Sequence, residues 1–192
     1  MDRNFIIIDN FLDDPDRVRR EALSLDFDRI RESVPGVRSS SALVGDHQTE
    51  VETKLKIILG GEIVWDWTQD SFYFQSCQEG TKTWIHKDSQ EEGQGEWAGV
   101  LFLNPIPNHD SGTACYLSRD KVRQYFLDHG MDPEQGFIDY NHSSILDMGA
   151  GNVYNRLVLY RGKYLDHSSI KPGFGETLET SRLTQTFWFD VK

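Results

Sequence analysis

Phe72-Tyr73-Phe74-Gln75-Ser76-Cys77-Gln78-Glu79-Gly80 is an aromatic run that ends in a glycine turn; Trp84-Ile85-His86-Lys87-Asp88 follows it, and then Gly99-Val100-Leu101-Phe102-Leu103-Asn104-Pro105. Aromatic and β-branched residues broken at short intervals by Gly, Asn and Pro read as strands. Outward from this stretch the same texture runs over 62–67, 70–77, 82–87, 97–103, 112–117, 151–160, 165–170 and 181–190. Eight short strands predict a jelly roll or a related barrel. One helix is expected among them, capped by Ser118 or Asp120, with Val122 and Phe126 at i and i+4 and Gly130 at its end. The segment from Asp132 to Asn155 then reads as a long connection, a length usual for lids and binding loops.

The N-terminal third has a different period. Asn4-Phe5-Ile6-Ile7-Ile8-Asp9 is a short β-branched strand, after which Asp14-Pro15 supplies a capping carboxylate and a proline at the first helical position. Val18, Ala22 and Leu25 form one apolar stripe, with Arg17, Arg19, Arg20 and Glu21 as a solvated face. Val51, Leu55 and Ile58 form a second stripe, stopped by Gly60-Gly61. Ser33-Val34-Pro35-Gly36-Val37-Arg38-Ser39-Ser40 between them reads as a turn-rich loop and, with the 132–155 connection, as the expected substrate contact. The chain is therefore expected to be a single domain, with residues 1–61 as helical support and 62–192 as a β core.

Composition narrows the function. Of 192 residues, 38% are hydrophobic, enough to close a core without disulfide staples. Lys and Arg number 20 against 31 Asp and Glu, a net charge of −11, which disfavours binding to a phosphate backbone. No apolar run approaches the ~20 residues needed to span a bilayer. Two cysteines, Cys77 and Cys115, make no disulfide framework, and the start MDRNFIIIDN has no basic leader followed by an apolar core; a cytoplasmic protein is expected. P-loop, GxGxxG and CxxC patterns are absent from the sequence.

His86 and Asp88 are two apart on an expected strand, so they point to one face and can share a metal ion. With 6 histidines and 31 acidic residues in 192, about one such pair arises by chance, and the pair alone decides nothing. Its weight comes from order: an aromatic strand before it, an apolar strand ending in Asn-Pro after it, then Ser111-Gly112-Thr113, Asn155–Tyr160, His167 on a late strand, and Ser181–Phe189 as the last strand. Arg182 and Thr184 share a face of that last strand, so a guanidinium fork and a hydroxyl can reach one carboxylate.

In that order the sequence resembles the Fe(II)- and 2-oxoglutarate-dependent oxygenases, in particular the small prolyl-hydroxylase-like members, over roughly residues 70–190. The resemblance implies a mainly β fold with flanking α, a double-stranded β-helix of the jelly-roll or cupin-like kind, buttressed by the N-terminal helices. It implies His86, Asp88 and His167 as iron ligands, and Arg182 with Thr184 as the anchor for the distal carboxylate of 2-oxoglutarate. Two imidazoles and one carboxylate on one face of an octahedral iron leave positions for the keto acid and for O2. Retention of Asp88 favours hydroxylation over halogenation, with release of succinate and CO2.

Departures from the pattern set the remaining expectations. Arg182 follows His167 by 15 residues, longer than is usual in the prolyl hydroxylases, which implies a long hairpin through Gly173-Phe174-Gly175 that can carry a lid or substrate contact. Phe102 and Cys77 stand where the family often has tyrosines, leaving Tyr73, Asn104 or Tyr154 as the second contact to the cosubstrate. Trp84 either walls the pocket or packs in the core, and His47, His109, His129 and His142 read as surface or satisfied residues. The substrate is expected to be a peptide or protein side chain or an amino-acid-like small molecule, with neither nucleic acid nor membrane as partner. Two competing readings are a non-catalytic cupin-like metal- or ligand-binding module and a barrel that holds zinc for hydrolysis.

Overall fold

The computed structural model describes residues 4–31, 34–88, 95–117 and 146–192, together with positions 121, 124 and 127–130. In chain order the elements are β1 (Phe5–Ile8), α1 (Pro15–Leu23), β2 (Phe27–Arg29), β3 (Val37–Ser39), α2 (Asp46–Leu59), β4 (Ile63–Trp65), β5 (Phe74–Cys77), β6 (Trp97–Phe102), β7 (Thr113–Tyr116), β8 (Leu146–Ala150), β9 (Leu157–Tyr160), β10 (Asp166–Ser169) and β11 (Arg182–Val191). Every pairing between them is antiparallel. The large sheet runs β1-β9-β6-β11-β5-β3-β2, with β4 also on β11; a smaller sheet runs β10-β7-β8. This is the double-stranded β-helix that the sequence implies.

β11 organises the molecule. Its ten residues span about 33 Å, long enough for β5 to pair with Arg182–Gln185 and β4 with Phe189–Val191 along one edge, while β6 pairs with Thr184–Phe189 along the other. Strand alternation gives the large sheet two unlike faces. Leu183, Phe187 and Phe189 enter the larger apolar core with Phe72, Phe74, Val51 and Leu55. Arg182, Thr184, Thr186 and Trp188 point the other way, toward the small sheet. There a second cluster of Ala98, Val100, Phe102, Cys115, Val158 and Tyr160 joins the sheets. Each fully buried Phe or Leu contributes roughly 1.5–3 kcal/mol, so the first cluster holds the fold and the second leaves a gap between the sheets.

The helices seal the outer face. Asp14 accepts from the Arg17 amide, Pro15 opens α1, and Val18 and Ala22 are its buried stripe. α2 buries His47, Val51 and Leu55 and ends at Gly60, whose φ of 78° is the left-handed cap that glycine adopts without strain. Among the described residues no helix is long and apolar enough to cross a membrane.

Four expectations need correction or completion. Residues 82–87 do not form a strand; His86 alone makes an isolated bridge to His167. Residues 146–150, expected within a connection, form β8 on β7, because Leu146, Met148 and Ala150 alternate even though Gly149 weakens the strand signal. The 33–40 loop contains β3, which pairs with β2 and β5; Gly36 at φ 70° turns the chain so close to the Ser76 carbonyl that any side chain there would collide with it. The first 61 residues thus supply three strands as well as two helices. Most of the helix expected before Gly130, His142, and the connection at 131–145 lie outside the described residues; Lys121, Gln124, Leu127 and Asp128 are helical.

Candidate metal centre

His167 sits in β10 opposite Cys115 of β7. His86 joins its free edge: the His86 amide donates to the His167 carbonyl at 3.0 Å, and the His167 amide to the His86 carbonyl at 2.8 Å. That reciprocal pair puts both imidazoles on one side, with ring centres 4.5 Å apart. Asp88, two residues on, faces the same way and is fixed by its amide donating to the Gly162 carbonyl at 3.0 Å. Asp88 Oδ1 lies 3.6 Å from His167 Nε2 and 3.9 Å from His86 Nε2, and one donor atom from each residue falls within 4.8 Å of the others. Three residues separated by up to 81 positions therefore converge as the sequence implies.

Hydrogen bonding fits them to a cation. His86 Nδ1 faces the Trp84 carbonyl at 3.0 Å, and His167 Nδ1 faces the Leu165 carbonyl at 2.9 Å. A carbonyl only accepts, so each Nδ1 carries a proton, and Nε2 is the atom left to meet a cation, on His167 once the proton that pairs it with Asp88 has left. Asp88 Oδ2 is buried without a hydrogen-bond partner. The space beside it exists because residue 162 is glycine; a Cβ there would overlap Oδ2. Burial pushes the Asp88 carboxyl up, but the charge of His167 and its hydrogen bond outweigh this and hold it below the ordinary range. Burial pushes His167 down and Asp88 more than restores it, while burial and the neighbouring His167 both lower His86. Two imidazoles and one carboxylate form a donor set that a ferrous ion accepts, as zinc does.

The triad opens on a cavity of about 270 Å³ between the sheets. Arg182 lines it, 2% exposed, with Nε donating to the Ser111 carbonyl at 2.7 Å and the guanidinium over the Phe102 ring at 5.3 Å. Burial depresses its pKa, and the groups that support its charge are Cys77 and Tyr160 rather than a carboxylate. A buried guanidinium without a carboxylate is costly. Beside it on the same face, Thr184 is fully buried and its hydroxyl has no partner.

Other expected residues lie elsewhere. Asn104 does not line this cavity; its amide donates to the Ser181 carbonyl and its oxygen accepts from the Leu183 amide, clamping the start of β11. Tyr73 lies under the Arg29 guanidinium at 4.4 Å, and the Tyr154 hydroxyl donates to Asp16; neither lines the cavity. Trp84 is also outside it, with its ring 6.1 Å from His86. The 173–175 hairpin packs along the end of β5, where the Phe174 amide donates to the Cys77 carbonyl, and Phe174 lines a separate surface groove. His47 Nε2 bonds Gln185 while its Nδ1 is buried without a partner, and His109 Nδ1 faces the Asn152 carbonyl. Cys115 is buried, its thiol pushed up to about 12 by desolvation, which makes it inert.

Sequence reasoning placed a substrate contact in the 33–40 loop, which holds Arg38, but gave no role to Tyr160, Gly162 or Trp188; Arg38, Tyr160 and Trp188 line the cavity, and Gly162 packs against Asp88. Tyr160 is buried with its ring centre 4.5 Å from that of His167. Strand parity alone would have found Trp188, six residues after Arg182 on the same face. Gly162, which packs against Asp88, and Arg38, which lines the cavity, owe their places to pairings distant in sequence.

Solved structures share this fold. A prolyl-4-hydroxylase from Pseudomonas putida superposes with a TM-score of 0.54 at 16% identity, covering 98% of this chain and 93% of that one. A Trichoplax adhaerens prolyl hydroxylase, solved in complex with a peptide fragment of the hypoxia inducible factor oxygen degradation domain, gives 0.58 at 13% identity, covering 97% and 83%. HygX from Streptomyces hygroscopicus, solved with nickel and 2-oxoglutarate, gives 0.55 at 12% identity, covering 97% and 82%. No protein-family profile matches the chain, and no curated protein does. At these identities the likeness defines the fold: a double-stranded β-helix of the kind used by Fe(II)- and 2-oxoglutarate-dependent oxygenases.

Proposed function

We propose that this chain is an Fe(II)- and 2-oxoglutarate-dependent oxygenase, with His86, Asp88 and His167 holding the iron and Arg182 with Thr184 anchoring the distal carboxylate of 2-oxoglutarate. The observation that carries this reading is the sharing of one cavity by a three-donor cluster and a buried, carboxylate-free guanidinium. Bound iron would supply the chemistry that couples O2 and oxidative decarboxylation of 2-oxoglutarate, to succinate and CO2, to oxidation of a substrate carbon.

The chain's own groups do the positioning. Nδ1 protons on His86 and His167, held by main-chain carbonyls, aim both Nε2 atoms inward. Asp88 remains ionised under the influence of His167. Arg182, oriented by the Ser111 carbonyl, meets the cosubstrate carboxylate, and the Thr184 hydroxyl beside it donates a second bond. The buried ring of Tyr160 excludes water next to His167. We take the substrate to be a peptide side chain or an amino-acid-like molecule, a class consistent with the peptide seen in the Trichoplax adhaerens complex.

Anaerobic addition of Fe(II) and 2-oxoglutarate is expected to give a weak visible charge-transfer band, which His86→Ala or Asp88→Ala abolishes; in air the same mixture should release succinate. A zinc hydrolase would stay colourless, and a non-catalytic module would show no keto-acid binding. Arg182→Ala should raise the 2-oxoglutarate requirement by the roughly 2–5 kcal/mol of a lost buried charge pair, about thirtyfold or more, with iron affinity nearly unchanged. Equal loss of both affinities in a folded variant would remove Arg182 from this role.

A further inference from the structure

The mouth of the cavity is basic, against the grain of a chain with net charge −11. Arg38 on β3 is in register with Gln75 of β5, which is in register with Thr184 of β11, so it belongs to the inward face two strands from the cosubstrate anchor. Its side chain is 5% exposed, and the guanidinium lies over the Trp188 ring at 5.1 Å. Arg31, Arg38 and Asp70 line the same cavity as the three metal-binding candidates. Asp70, the carboxylate among them, is already held by Arg29 at 3.0 Å and Arg31 at 2.9 Å, and stands 3.8 Å from Arg38. Three guanidiniums thus face one carboxylate. Arg38 Nε and Nη1 are buried without a hydrogen-bond partner, Nη1 having only the 3.8 Å ion pair with Asp70, while the Trp188 indole is turned to the Asp88 carboxylate.

Unpartnered buried donors on a cation cost free energy that a bound anion restores. Burial brings the Arg38 pKa down to about 10, so the group is still charged at neutral pH. The cosubstrate's distal carboxylate is accounted for by Arg182 and Thr184. A cavity of about 270 Å³ that also holds the keto acid leaves room for a planar group of carboxylate size, which suits a guanidinium.

We propose that Arg38, supported by Arg31 and stacked on the Trp188 ring, binds a carboxylate carried by the substrate, so that this enzyme oxidises an acidic small molecule or an acidic residue of a peptide. This rests on the oxygenase reading above. The carboxylate comes either from the free main-chain end of an amino acid or from an Asp or Glu side chain, and the test separates the two.

Protein loaded with Fe(II) and 2-oxoglutarate is titrated with the twenty amino acids as free acids, with their carboxamides, and with the N-acetyl carboxamides of Asp and Glu, whose one carboxylate is on the side chain. Binding is read from perturbation of the charge-transfer band and from stimulated succinate release. At least one carboxylate-bearing probe is expected to bind, and the matching probe without that carboxylate to bind at least tenfold more weakly. Binding of free acids alone assigns the main-chain carboxylate; binding of the blocked Asp or Glu assigns the side chain. Arg38→Gln should weaken the bound probe tenfold or more while 2-oxoglutarate affinity stays within twofold, the reverse of Arg182→Gln. Should Arg38→Gln not fold, the paired acid and amide titrations of the unaltered protein still decide. The proposal is overturned if amides bind as tightly as acids, if no carboxylate probe binds a protein that forms the band, or if Arg38→Gln and Arg182→Gln impair 2-oxoglutarate equally. Failure to form the band at all overturns the oxygenase reading, and this inference with it.

Discussion

The two faces of β11 bury polar groups for opposite ends. On the helix side, the Gln185 amide is closed within the protein: its oxygen accepts from His47 Nε2 at 2.7 Å, and its nitrogen donates to the Phe72 carbonyl at 3.1 Å. On the side facing the small sheet, Thr184 Oγ1 is buried without a hydrogen bond, as is Arg38 Nε across the sheet. Both faces are almost fully removed from water. The first closes Gln185 into structural hydrogen bonds, although His47 Nδ1 beside it has none, whereas the second leaves unbonded the groups that the proposed function assigns to ligands.

The largest test of that contrast is Phe187→Ala. It empties the helix-side core and should cost about 3–5 kcal/mol, measured by denaturant unfolding, while the surviving folded fraction still binds iron. A loss of iron binding larger than the loss of folded protein would show that the two faces are not separable. Adjacent positions on opposite faces give the next test. Gln185→Leu strands the His47 N–H and should destabilise by about 1–3 kcal/mol. Thr184→Val removes a hydroxyl that has no partner and should leave stability within about 0.5 kcal/mol while weakening 2-oxoglutarate. Equal destabilisation by both would mean that the Thr184 hydroxyl is structurally engaged.

pH sharpens the comparison least. His47 is buried and its pKa is lowered, first by desolvation, with the hydrogen bond to Gln185 opposing. Its folded form is therefore neutral, and its contribution is complete above the ordinary histidine pKa. As pH falls below that value the unfolded chain takes up a proton that the folded one refuses, so stability declines toward the folded pKa by at most about 1.4 kcal/mol per pH unit. His47→Gln should flatten that part of the stability curve between neutral and mildly acidic pH. An unchanged slope would assign it to other groups.

Much of this was legible in the sequence, for a physical reason. Arg182 and Thr184 lie in β11, where strand parity does put them on one face, whereas His86 and Asp88 lie outside any strand and gained weight only from the order of motifs along the chain and the family resemblance. Capping chemistry at Asp14-Pro15 and Gly60 fixed both helices locally. What could not be read depends on pairings distant along the chain. β3 looked like a turn because its three residues follow Pro35-Gly36, and it becomes a strand only when β5 offers an edge. Arg38 enters the cavity by that pairing, and Gly162 matters because Asp88 is packed against it. Residues 82–87 erred in the other direction: their aromatic and β-branched composition predicts a strand, but β10 takes only one bridge from them.

That single bridge has a mechanical consequence. Among the described residues, the arm carrying two of the three candidate metal donors is moored to the barrel by the reciprocal His86–His167 main-chain pair and the Asp88 amide bond to Gly162. An ion gripped from both banks of so short a seam would act as its clasp. Amide exchange at His86 and Asp88 should then slow on loading far more than exchange anywhere in β11, making the ordering of this arm a gauge of metal occupancy.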